Sequence, residues 1–241
     1  MPDQPPSTAH SFRILPLGDA AVTVEFGHEI DPALNERVIA CADHVRAQRW
    51  AGVLDVVPTY RSVAIHVDPL SLDVNTLKDR LVRLAHSISP QAIRSGRDHT
   101  IPVLYGGEWG PDLEDVAAFA ALPAADVVRL HCSIRYRVYM LGFSPGFPYL
   151  GIVPDSIAMP RLASPRTKVP PGSVGIAGHQ TGIYPTGTPG GWRLIGRTPV
   201  ALYRPDTGRP FLLSPGDQVR FEPIGPEEFE RLRRTHHVDA D

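Results

Sequence analysis

Apolar positions in the first third of the chain switch between a period of two and a helical period. FRILPLGDAAVTVEFG, Phe12 to Gly27, alternates in two strand-like runs around a Gly18-Asp19 turn. DPALNERVIACADHVRAQR then carries Leu34, Val38, Cys41 and Val45 at helical spacing. Asp31 is placed to cap this helix, and Pro32 suits its first turn, where a missing N–H costs nothing. VLDVVPTYRSVAIHVDP gives two more strands, broken near Pro58, and LDVNTLKDRLVRLAHSI a second helix with Leu77, Leu81 and Leu84 on one face. Residues 11–95 therefore predict a β–β–α–β–β–α unit, a small α+β domain with its helices on one face of a sheet.

Ser89 to Thr100 is polar, and the domain boundary is expected there. Beyond it, TIPVLYGG reads as a strand, and PDLEDVAAFAAL and PAADVVRLHCS as two short helices, the first with Asp112 as N-cap and Asp115 three residues on. From Gly142 to Pro199 the texture changes: 11 glycines and 10 prolines fall within 58 residues. Phe143, Phe147, Tyr149, Tyr184 and Trp192 are interleaved with them, which argues against disorder and for many short strands joined by tight turns, a β-barrel or sandwich. GFPYLG within this stretch reads as turn-like. A C-terminal helix, PEEFERLRR, closes a second domain over 96–232, with loose tails expected at 1–10 and 233–241.

Composition narrows the function classes. A formal charge of −2 gives no global field for nucleic acid. Two cysteines supply neither a disulfide framework nor a zinc set, and Cys41 reads as a small apolar filler. No metal spacing is evident among the histidines, and no apolar run is long enough to span a bilayer, so a cytoplasmic protein is expected.

Three features carry candidate chemistry. Gly142-Phe143-Ser144-Pro145-Gly146 matches G-x-S-x-G, the nucleophile elbow of serine hydrolases. The elbow uses the backbone N–H after the serine for its oxyanion hole, and here that residue is Pro145, which has none. The pattern is instead read as a tight turn that sets Phe143, Phe147 and Tyr149 in an apolar wall, whether beside a cleft or as a packed loop. Second, Ser156 to Pro205 contains no Asp or Glu but carries Arg161, Arg166, Lys168, Arg193, Arg197 and Arg204. Such a segment is either a basic face or a pocket for a carboxylate or phosphate, which guanidinium forks bind bidentately. Third, His179-Gln180 among glycines is either a surface pair or an acid–base and hydrogen-bonding pair. Neither common nucleotide loop is present.

The stretches YMLGFSPGFPYLG, PRLASPRTKVPPGSVGIAGHQTGIYP and TPGGWRLIGRTP resemble the KipI/PxpB family, also labelled allophanate hydrolase subunit 1. YGGEWGPDLEDVA, GDQVRFEPI, LGDAAVTVEFG and VVPTYRSVAIHVDP fit it as well, so the resemblance runs over roughly Phe12 to Gly225. It implies a small α+β domain followed by a cyclophilin-like β-barrel, and a role as the B component of an ATP-dependent 5-oxoprolinase. The partners it implies are two further chains, one KipA/PxpC-like and one LamB/YcsF-like. The alternatives it carries are a KipI-like histidine kinase inhibitor and the carboxyltransferase half of a urea carboxylase-type enzyme. Ring opening of a stable lactam through phosphorylation of its carbonyl oxygen needs cations near phosphate and near the substrate carboxylate. On that basis Arg166, Lys168 and Arg193 are expected to supply charge, His179 and Gln180 polar catalytic contacts, and Tyr184 and Phe143 walls. Arg166→Ala is accordingly expected to weaken activity more than stability.

Overall fold

The computed structural model describes residues 12–87 and 96–236. The chain divides into two compact units, Met1–Ser95 and Gly96–Asp241.

In the first unit the alternating runs form β1 (Arg13–Pro16), β2 (Ala21–Glu25), β3 (Val53–Pro58) and β4 (Ser62–Val67), with α1 (Pro32–Gln48) and α2 (Val74–Ser87) between and after them. The strands make one antiparallel sheet in the order β1-β2-β4-β3. The Asp31 carboxylate accepts the Leu34 N–H at 2.9 Å and Pro32 sits in the first turn, so α1 begins where the sequence pattern puts it. Every second residue of β2 and β4 turns inward, and Val22, Val24 and Ile65 meet Val38, Cys41 and Leu77 in a closed core. Each fully buried aliphatic chain there contributes roughly 1.5–3 kcal/mol. Burial pushes the Cys41 thiol up to about 12, which leaves it as an inert filler. The apolar pattern does not single out Asn35, which is buried and donates to the Thr59 and Tyr60 carbonyls at 3.0 and 3.2 Å, tying α1 to the β3–β4 turn.

The second unit starts with β5 (Asp98–Tyr105), α3 (Leu113–Ala120) and α4 (Ala124–Ser133). It continues through β6 (Tyr136–Leu141), β7 (Pro148–Gly151), β8 (Arg166–Val169), β9 (Ser173–Ala177), β10 (Gln180–Ile183), β11 (Thr188–Gly190), β12 (Arg193–Arg197), β13 (Gln218–Pro223) and α5 (Pro226–His236). Seven strands close into a barrel in the order β10-β7-β6-β13-β5-β12-β9, while β8 and β11 form a separate two-stranded sheet. Of the barrel and the sandwich that the glycine- and proline-rich segment allows, the chain forms the barrel. Its interior holds Val103, Val138, Leu150, Ile176, Ile195 and Phe221, and α3 and α4 close over it through Leu113, Val116 and Val127. The Asp217 carboxylate, at the start of β13, accepts the Arg97 and Ser214 N–H groups at 2.9 and 3.0 Å and lies 2.9 Å from His99 Nε2.

Several local expectations are corrected. Part of GFPYLG is strand β7, with Pro148 at its first position, where proline is tolerated. Residues 233–236, expected to be loose, are helical because α5 runs on to His236. Asp112 stands at the N-cap position of α3 but its side chain does not cap. The expected loose segment 1–10, the end of the tail (237–241) and most of the connector (88–95) lie outside the described residues. No single helix among the described residues is long and apolar enough to cross a membrane.

Candidate functional site

The G-x-S-x-G stretch is the turn between β6 and β7, and it leads to a strand rather than a helix. Ser144-Pro145-Gly146-Phe147 is a β-turn with the Phe147 N–H on the Ser144 carbonyl at 3.1 Å. Proline in its second position and Gly146 at φ 80 in its third are the type II signature. Just before it, the Ser144 N–H reaches the Gly142 carbonyl at 2.8 Å, which holds Phe143 in the left-handed region at φ 67. Among the described residues the buried Ser144 hydroxyl has no hydrogen-bond partner, and no base addresses it.

This turn throws Phe143 out over a cleft of about 290 Å³. Its wall is a ladder of edge-to-face rings in which Phe147 is the hub, 5.0 Å from Tyr149, 5.1 Å from Tyr184, 5.3 Å from Trp192 and 5.6 Å from Phe143. Such pairs add roughly 0.5–1.5 kcal/mol each beyond the area they bury. Phe147 and Tyr184 are fully buried, whereas Phe143 is 64% exposed at the mouth. Glycine makes the packing possible. A Cβ at Gly190 would stand 2.4 Å from the Tyr184 hydroxyl, and one at Gly182 would stand 3.0 Å from both the Phe147 and Trp192 rings. Burial raises the Tyr184 phenol above its usual range, partly offset by a hydrogen bond with the Trp192 backbone, and burial raises Tyr149 too. Both phenols belong to residues that line the cleft and stay protonated at neutral pH.

The acid-free segment is not an unpaired positive surface, because acids arrive from α3. Arg166 binds Asp112 at 2.7 Å, and the other Asp112 oxygen accepts the Leu194 N–H at 2.6 Å. Arg166 also reaches the Trp192 carbonyl at 3.4 Å. Arg193 binds Asp115 at 3.2 Å and the Pro160 carbonyl at 3.2 Å. These two arginines, expected to hold substrate charge, are committed to fixing the strand that begins at the cleft. Lys168 is exposed on β8. Arg197 bonds the Pro171 carbonyl at 2.7 Å and lies over the Trp109 ring at 5.3 Å. Arg161 does line the cleft, together with Pro165, Pro189, Gly190 and Gly191.

His179 and Gln180 occupy the tip of the β9–β10 hairpin. Ala177 pairs with Gln180 across a two-residue loop whose first member, Gly178, has φ 57 as a type II′ turn requires. His179 is exposed and its Nε2 lies 3.6 Å from the exposed Asp155 carboxylate. Neither hairpin residue lines the cleft, although both Phe143 and Tyr184 do.

The sequence pattern also passes over His131. Its ring is fully buried, with Nδ1 2.8 Å from the Tyr105 hydroxyl and Nε2 2.9 Å from the Thr181 hydroxyl. Thr181 donates onward to the Gly175 carbonyl at 3.0 Å, and the imidazole stacks on Phe221 at 4.5 Å. Burial pulls its pKa down to about 3, so it is a neutral strut across the barrel. In the sequence it is only a lone histidine on a short helix of mixed polarity.

Residues 12–213 match the model of the carboxyltransferase domain, subdomain C and D. The chain is 41% identical over 236 residues to the B subunit of 5-oxoprolinase from Bacillus subtilis (strain 168), covering 92% of this chain and 97% of that protein. It is 26% identical over 253 residues to urea amidolyase of Lachancea kluyveri, a match that covers 89% of this chain but only 13% of the relative. The solved structure of TTHA0988 superposes with a TM-score of 0.75 at 40% identity over 86% of this chain, which spans 40% of that longer chain. With its closed barrel and this match over most of its length, the chain belongs to the KipI/PxpB family of carboxyltransferase subdomain C and D proteins.

Proposed function

We propose that the chain is the B component of an ATP-dependent 5-oxoprolinase, hydrolysing 5-oxo-L-proline to L-glutamate in a cytoplasmic complex. Its partners in this reading are one LamB/YcsF-like chain and one KipA/PxpC-like chain. The observation that carries the reading is the end-to-end match to the 5-oxoprolinase B subunit, against a weaker match to a small fraction of urea amidolyase. The aromatic cleft supports it. Its volume, about 290 Å³, lies at the small end of ligand sites, which suits a five-membered lactam better than a nucleotide.

In this reading the chain positions the lactam and keeps water from it. Phe143 and Tyr184, whose rings stand nearly perpendicular with centroids 6.4 Å apart, form an apolar corner against which the lactam packs, and Tyr149 lines the same cleft. ATP supplies the driving force for opening a resonance-stabilised amide. Its phosphates need several converging cations, and Arg166 and Arg193 are neutralised by Asp112 and Asp115. The nucleotide is therefore assigned to the partner chains. Arg166 and Arg193 act as positioning residues, and Lys168, His179 and Gln180 face those partners.

The test is reconstitution. Together the three proteins are expected to release glutamate and phosphate only when oxoproline and ATP are both present, and this chain alone to release neither. An intact three-component complex with no oxoproline-dependent phosphate release rejects the reading.

A further inference from the structure

Hydrogen bonds occupy three arginines near the cleft but not Arg161, which is the cation among the residues that line it. Arg166, Arg193 and Arg197 each hold a carboxylate or a backbone carbonyl of their own unit. Arg161 has no ion-pair or hydrogen-bond partner among the described residues, yet it lines the aromatic cleft. Its backbone is pinned on both sides. The preceding carbonyl, that of Pro160, accepts from Arg193 at 3.2 Å, and the following N–H, that of Leu162, donates to Gly191 at 2.7 Å. One residue further back, the Met159 carbonyl accepts the Gly178 N–H at 2.8 Å. The committed arginine thus holds the free one in place, and Gly191, a lining residue, holds it from the other side. A guanidinium fork carried on this pinned backbone, in the lining of a cleft of rings, prolines and glycines, has the charge to take a carboxylate bidentately while a small ring enters the apolar part.

We infer that Arg161 is the carboxylate anchor of the cleft, setting its preference for a small cyclic amide acid over the same ring without the acid. The identity of that acid as 5-oxoproline rests on the function proposed above; the anchoring role does not. A neutral lactam fits the same walls but leaves the guanidinium unpaired, so discrimination resides in one side chain.

Two measurements test this. In the reconstituted complex, Arg161→Ala is expected to raise KM for oxoproline by about 10- to 100-fold with a much smaller change in kcat, the range for losing one charge-assisted contact. Arg161→Lys should recover part of the loss. An active complex in which Arg161→Ala leaves KM unchanged overturns the anchor while the oxoprolinase reading stands. Separately, the full-length chain is titrated with oxoproline and with 2-pyrrolidinone, following the Trp192 indole N–H by NMR. Wild type should respond to the acid at lower concentration than to the neutral lactam, and Arg161→Ala should respond to both alike. If the complex proves inactive on oxoproline, this titration still decides: a preference for the acid that Arg161→Ala abolishes upholds the anchor. No preference, or one that survives the substitution, overturns it.

Discussion

Single residues divide the work of the cleft between shape and charge. Asp112 is 7% exposed and Arg166 28%, and the pair ties α3 to the first residues of β12. Removing Arg166 leaves a buried carboxylate with one backbone donor, and breaking such a pair costs about 2–4 kcal/mol even with partial hydration. Arg166→Ala is therefore expected to lower the midpoint of urea denaturation markedly, which reverses the sequence-based expectation that activity suffers first. An unchanged midpoint contradicts the structural role. The sequence does not show this pairing, for a physical reason. A stretch without acids says nothing about acids delivered by an element about 50 residues earlier, and a local rule, the N-cap, claims Asp112 although the tertiary contact outbids it. Phe143 and Tyr184 are legible as walls because rings separated by glycines have few other uses. Arg161 is legible only as one cation among six, since the bonds that occupy its neighbours are all long-range.

At the level of elements, α4 carries a polar strut into an apolar container. His131 must be neutral to sit between two hydroxyls and against Phe221, and its folded pKa, about 3, lies well below the unfolded value near 6.5. Between those values the unfolded chain binds more protons than the folded one. Stability from this group is therefore complete above pH 6.5 and lost as the pH falls, by up to about 1.4 kcal/mol per pH unit. Denaturation of wild type and His131→Gln at pH 7.5 and 5.5 should show a smaller acid loss in the variant, and equal losses refute the assignment. The elements of the first unit are readable because alternation and helical spacing are strong there and Asp31 behaves as caps usually do. Those of the second are readable as a class, many short strands, but not one by one. Four-residue strands such as β7 and β10 are too short for a period to declare itself, and β7 opens on a proline.

On the scale of the molecule, a change of local texture marks a second part made of many short strands, a barrel or a sandwich, but gives no order of strands. Pairing order depends on contacts between distant segments, for which one sequence offers no local sign. The placement of β13 is the clearest case. It lies between β5 and β6, parallel to the first with Gln218 opposite Asp98, and antiparallel to the second. On the ribosome, β5 and β6 thus emerge long before the strand that separates them, and the nascent wall stays unzipped with two raw edges. The final rung also brings Asp217, the carboxylate that clasps Arg97 and His99. A chain stopped after Gly216 should then accumulate as aggregate, and supplying the missing piece as a separate peptide, Asp217 to His236, should restore soluble protein. A soluble, ordered truncation would mean that the wall can seal without its latch.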